Sequence, residues 1–160
     1  MKKLNRKGFT LVELLAVIII LAIVVGISIP AITNIINDSK NNSLGVAADS
    51  AEKFVSEQYN LMSVDVNLVD PAFTKIVPSL VTTDTTKTLK SATANDAALL
   101  KAMGFDVNNV TELTMKITTT GDVCITITKI PTKSQYFTTA HWKTDGSAPL
   151  TGAQNKSKSC

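Results

Sequence analysis

The chain has 160 residues, 16 Lys+Arg against 13 Asp+Glu, a formal net charge of +3 and 44% hydrophobic residues. Its mean hydropathy of +0.18 is high for a soluble protein of one-domain length. The excess is local: residues 9–29 (FTLVELLAVIIILAIVVGISI) hold 17 apolar residues in 21 positions, with Glu13 their one charge. A uniformly soluble cytosolic protein does not fit, because such a run approaches bilayer-spanning length. The charge is local too. Lys2, Lys3, Arg6 and Lys7 precede the run, while residues 30–160 carry 12 Lys and 12 acids, which cancel. The basicity is therefore a poor argument for nucleic-acid binding.

A basic segment before an apolar one is the outline of a secretory signal. In the conventional form, Gly26 and Ser28 supply small residues two apart, with cleavage before Ile29. That reading makes the chain a soluble secreted binding protein. Three features stand against it. The run exceeds the roughly 7–15 residues of an ordinary apolar region. Pro30 follows the scissile bond closely. Glu13 would put a carboxylate early in the segment for no purpose, and a carboxylate at a helix centre costs about 2.5–3.5 kcal/mol on insertion scales.

Lys7-Gly8-Phe9-Thr10-Leu11-Val12-Glu13, with the apolar run that follows, resembles the N-terminus of the type IV prepilins. The resemblance covers residues 1–30. It implies cleavage between Gly8 and Phe9 by a prepilin peptidase, N-methylation of Phe9, and retention of Glu13 for assembly. Pro30 falls where the family carries a helix-kinking proline. A glycine common near the middle of the family's run is Ala22 here, with Gly26 nearby. The implied division is a leader at 1–8, an apolar transmembrane and assembly helix at 9–29, and a globular head at 30–160.

The physics agrees. Four cations hold the leader on the cytoplasmic side, which puts the cut within reach of a membrane-embedded peptidase. The cut removes those cations and keeps the apolar helix, leaving 12 Lys against 13 acids, or −1. In the family, Glu13 meets the freed amine of Phe9 on a neighbouring subunit. Such pairing neutralises an expensive charge and marks register.

The helical period continues past Pro30. Leu44, Ala47, Ala48, Ala51, Phe54, Val55, Tyr59 and Met62 recur at three- and four-residue steps, with Asp49, Glu52, Lys53 and Glu57 on the other side. A helix from Phe9 to about Leu61 would run roughly 80 Å at 1.5 Å per residue. Its first half is apolar all round and needs lipid or other copies of the helix to cover it. Pro30 cannot donate an amide to Gly26, so a kink or soft point is expected there.

Beyond the helix, residues 81–93 are Thr-rich and read as an exposed loop holding at most one strand. Residues 94–103 read as a helix, with Asn95 as N-cap and Gly104 as stop. From 111 the period becomes two. Leu113, Met115 and Ile117 alternate with Thr114, Lys116 and Thr118. After a Gly121-Asp122 turn, Val123, Ile125 and Ile127 alternate with Cys124, Thr126 and Thr128. A third strand is expected at about Gln135–Trp142. The fold class is thus α+β: a long N-terminal helix whose amphipathic half packs on an antiparallel meander, pilin-like in outline.

Cys124 and Cys160 are the two cysteines. In an exported chain they read as a disulfide that ties residues 143–159 back across the sheet, worth roughly 4 kcal/mol in the chain-entropy model. Such a loop resembles the variable exposed loop of many pilins. The alternative is two unpaired thiols in a host that makes few disulfides.

No catalytic constellation and no metal-ligand spacing stands out, and no cofactor is expected. His141, the single histidine, reads as a strand residue beside Trp142. The resemblance implies a non-enzymatic subunit of a type IV pilus used for adhesion, motility or DNA uptake. The alternative from the same N-terminus is a pseudopilin of a type II secretion or competence system. Its implied partners are copies of itself and other pilins, the prepilin peptidase, the pilus assembly platform and membrane lipid before assembly, with a host surface or DNA beyond them. The implied location is the cytoplasmic membrane for the precursor, then the extracellular pilus.

Overall fold

The computed structural model describes residues 10–138 and Trp142. The chain divides into two compact units, Met1–Ile36 and Asn37–Cys160. Helix α1 (Leu11–Val64) begins in the first and ends in the second. In the first unit every large apolar side chain from Leu11 to Ile36 is exposed, 71% for Val12 and 67% for Ile35, so no core forms among its described residues. Pro30 sits inside the helix without interrupting it. It lacks the N–H that the Gly26 carbonyl would otherwise receive. Hydroxyls on either side donate back to the helix: Ser28 Oγ to the Val24 carbonyl at 2.7 Å, and Thr33 Oγ1 to the Ile29 carbonyl at 2.9 Å.

The second unit holds the core. From Asn41 onward α1 buries Asn41, Leu44, Gly45, Ala48, Ala51, Val55, Gln58, Tyr59 and Met62, a stripe with the 3.6-residue period. After α1 come a 3₁₀ turn at Val66–Leu68, α2 (Pro71–Thr74), β1 (Thr85–Lys90), α3 (Ala94–Ala102), β2 (Glu112–Ile117) and β3 (Val123–Lys129). The strands form one antiparallel sheet in the order β1-β2-β3.

Register explains the burial. Leu89, Leu113 and Ile127 align across the sheet, as do Met115 with Ile125 and Ile117 with Val123. All seven are buried and share one core with the α1 stripe, Phe73, Leu99, Leu100 and Trp142. The opposite face carries Thr114, Lys116, Cys124 and Thr126, with Lys116 paired to Cys124. The expected hairpin, its two faces and the helical stripe are all present. The arrangement is α+β, consistent with a pilin-like fold.

Two expectations need correction. The third strand is not Gln135–Trp142. Residues 132–136 form turns and no described residue from 135 to 138 lies in a strand, while 139–141 fall outside the described residues. The backbone there is used locally. Ser134 N donates to the Pro131 carbonyl, Phe137 N to the Ser134 carbonyl, and Tyr136 N to Ser134 Oγ. Asn109 Oδ1 receives Ser134 Oγ and Gln135 N, tying the segment to the turn before β2. Amides so engaged cannot enter a ladder. The third strand is instead Thr85–Lys90, on the other edge of β2. It contributes one fully buried side chain, Leu89, which is why its sequence reads as loop.

The second correction concerns α3, where Thr93 and not Asn95 occupies the N-cap. Asp96, in the first turn, instead accepts the Lys90 amide at 3.0 Å and ties the helix to β1. The stop is as expected. Gly104 has φ +89, its N–H donates to Lys101 and the N–H of Phe105 to Leu100, the two bonds of a Schellman ending.

The head is anchored to the end of α1 by side chains of α1 itself. Gln58 Oε1 accepts the Asp70 amide at 2.7 Å, which gives this buried amide side chain its partner. Asp70 caps α2 by accepting the Ala72 amide, with Pro71 at the first helical position. Tyr59 Oη accepts the Val81 amide at 3.1 Å.

Candidate functional site

The N-terminal residues carry the chemistry that the sequence singles out. Gly8 and Phe9, the expected cleavage pair, lie outside the described residues. The described chain opens at Thr10, and Glu13 stands in the first turn of α1, exposed. The two side chains close a reciprocal hydrogen-bond box. The Thr10 amide donates to Glu13 Oε2 at 2.8 Å and the Thr10 hydroxyl to the same oxygen at 2.9 Å. The Glu13 amide donates to Thr10 Oγ1 at 3.3 Å. This is a capping box, which satisfies amides that the first turn of a helix leaves without carbonyl partners.

The sequence analysis assigns no role to Thr10, which the structure places against Glu13. The signal was present: Thr10-x-x-Glu13 before an apolar run is the capping-box spacing. It supplies a reason for Glu13 inside its own chain. Glu13 is also the one charged residue between positions 11 and 36, so its partners decide how well the segment tolerates lipid.

Along the rest of the apolar segment, residues 11–27 are all exposed. The helix is long and apolar enough to cross a membrane. Pro30 lies 17 positions beyond Glu13 in the same helix. Cys124 is the second residue of β3, half-buried on the polar face of the sheet as expected, while Cys160 and His141 fall outside the described residues.

Among the described residues no cluster of His, Cys, Asp and Glu has the arrangement of a metal centre. An open groove of about 850 Å³ lies in the head. The C-terminal turns of α1 line one side with Glu52, Lys53, Ser56, Glu57, Asn60, Leu61 and Val64, and Gly121, Asp122 and Val123 line the other. These side chains offer carboxylates and a lysine at the surface but no activated nucleophile beside a base.

Compared with known proteins, residues 3–29 match the family model of the prokaryotic N-terminal methylation motif. No curated protein and no solved structure matches the chain. The matched stretch contains residues 3–8 of the basic leader, the capping box and the whole apolar run of residues 9–29. Such a segment, with the apolar helix that continues it, points to a membrane-anchored precursor. The chain carries at residues 3–29 the class III signal peptide of type IV pilins, and that motif supports a structural protein of the pilin-like class, which joins pilins and pseudopilins.

Proposed function

We propose that the chain is a structural subunit of a type IV pilus. It is made as a membrane prepilin, cut between Gly8 and Phe9 by prepilin peptidase, methylated at Phe9, and polymerised through α1. The observation that carries this reading is the apolar half of α1, exposed from Leu11 to Ile27 and charged only at Glu13. A segment this apolar must be covered, by lipid before assembly and by the same helix of other copies afterwards. In the filament, Glu13 pairs with the N-terminal ammonium of a neighbouring Phe9, which neutralises the buried charge and sets register. Pro30 supplies the soft point that the helix uses on leaving the bilayer. A Cys124–Cys160 disulfide closes the C-terminal loop on the polar face of the sheet. The division into leader 1–8, assembly helix 9–29 and head 30–160 follows from these roles. The assembled subunit lies outside the cell, where the pilus serves adhesion, motility or DNA uptake.

The deciding measurement is the N-terminal mass of the exported protein. A chain starting at methylated Phe9 supports the proposal, and one starting at Ile29 overturns it in favour of a soluble secreted protein. Electron microscopy of surface fibres, with and without this chain, then separates a pilus subunit from a pseudopilin, which shares the same N-terminal motif. Glu13→Ala is expected to leave cleavage intact and to impair fibre assembly.

A further inference from the structure

The carboxylate of Glu13 is engaged through one oxygen. Oε2 receives both the amide of Thr10 at 2.8 Å and its hydroxyl at 2.9 Å. Oε1 makes no bond among the described residues. Two donors on one oxygen fix where the carboxylate points, and bonds to an ionised acceptor are the stronger kind. They hold it back along the helix toward its N-terminus, where Phe9 immediately precedes Thr10 in the chain. Cleavage between Gly8 and Phe9 would place a new ammonium one residue from the amide that Oε2 already meets.

We propose that Thr10 is a positioning residue for Glu13. Its amide and hydroxyl hold Oε2, so that Oε1 is the atom offered to an N-terminal ammonium during assembly. The same two bonds keep the carboxylate partnered while the subunit waits in lipid, where an unpartnered one is costly. Glu13 thus has two sets of partners, first Thr10 alone, then Thr10 together with an ammonium. This inference rests on the pilus-subunit reading and adds to it the residue that aims the carboxylate.

The hydroxyl separates positioning from mere shape. Thr10→Val keeps the branched outline and the amide but removes the hydroxyl, whereas Thr10→Ser keeps the hydroxyl. Full-length variants would be expressed in a pilus-forming host, with cleaved subunit in the membrane and sheared surface fibres quantified separately. Thr10→Val is expected to leave the membrane pool within twofold of wild type and to lower fibre yield at least fivefold. Thr10→Ser is expected to restore it to within twofold. In a Glu13→Ala background, Thr10→Val should lower fibre yield no further, because Thr10 acts through Glu13. Normal fibres from Thr10→Val overturn the inference. So do equal losses of membrane pool and fibres, failure of serine to rescue, or an additive loss in the double variant. A wild-type chain that begins at Ile29 removes the pilus reading and this inference with it. Normal processing and fibres in wild type, with the same fibres from Thr10→Val, remove the inference alone.

Discussion

Tyr59 joins α1 to two other parts of the head through one side chain. Its hydroxyl oxygen accepts the Val81 amide at 3.1 Å, and its ring lies under Gly121, where a Cβ would come within 3.4 Å of Cδ1 and Cε1. The side chain is 7% exposed. Tyr59→Phe removes the acceptor and leaves the ring. The half-buried Val81 N–H then has to find water, so the expected loss is about 1 kcal/mol, at the low end for an unsatisfied amide. For a unit the size of residues 37–160 that lowers Tm by roughly 3–6 °C. Tyr59→Leu also removes ring packing and should cost about 2 kcal/mol more. Trp142 is a clean probe, because it is the single tryptophan and is 1% exposed. Its fluorescence reports on the head and ignores the apolar half of α1. The assay is thermal and urea unfolding of the detergent-solubilised chain followed at that residue. A Phe variant whose midpoint stays within about 1 °C of wild type would refute the reasoning, since the hydrogen bond would then contribute nothing beyond what water supplies.

Met115 lies fully buried on the central strand, so Met115→Ala should cost about 2–5 kcal/mol. Thr114→Ala, on the other face, should stay within about 0.5 kcal/mol, and equal costs in urea unfolding would contradict the assigned faces. Gly104→Ala should cost about 1–2 kcal/mol, because φ is +89 there and the space around it is open. Asparagine at the same position should recover part of that loss, since it tolerates this backbone region better. Pro30→Ala returns a donor to the Gly26 carbonyl, so hydrogen exchange in detergent micelles should slow around residues 26–30. Unchanged exchange would show that the proline is not a soft point. For the cysteines, intact mass with and without reductant should differ by two hydrogens, and the difference should vanish in Cys124→Ser.

How much of this was readable in advance depends on whether the signal is local. The apolar run, its cations and the Gly8-Phe9…Glu13 pattern are contiguous, and their meaning does not depend on what folds around them. The hairpin was legible for the same reason. Leu113, Met115 and Ile117 alternate strictly, and so do Val123, Ile125 and Ile127, because each strand has one buried face. The box between Thr10 and Glu13 was equally local, at capping spacing, but the demand for a long-range partner hid the short-range one.

Residues distant in sequence decided the rest. Thr85–Lys90 has one inward side chain, so its own pattern does not distinguish strand from loop. It becomes a strand because β2 offers an open edge, and because Leu89 then meets Leu113 in the core. Gln135–Trp142 has the bulky residues of a strand, yet Asn109 and Ser134 take up its first amides in turns. Thr93 rather than Asn95 begins α3, where Asp96 reaches the end of β1. Backbone amides go to whichever acceptor the completed fold brings near, and that competition is invisible along a single strand of sequence. Membrane address and helix were therefore written in adjacent residues, whereas the third strand and the anchors of the head had to wait for the chain to close on itself.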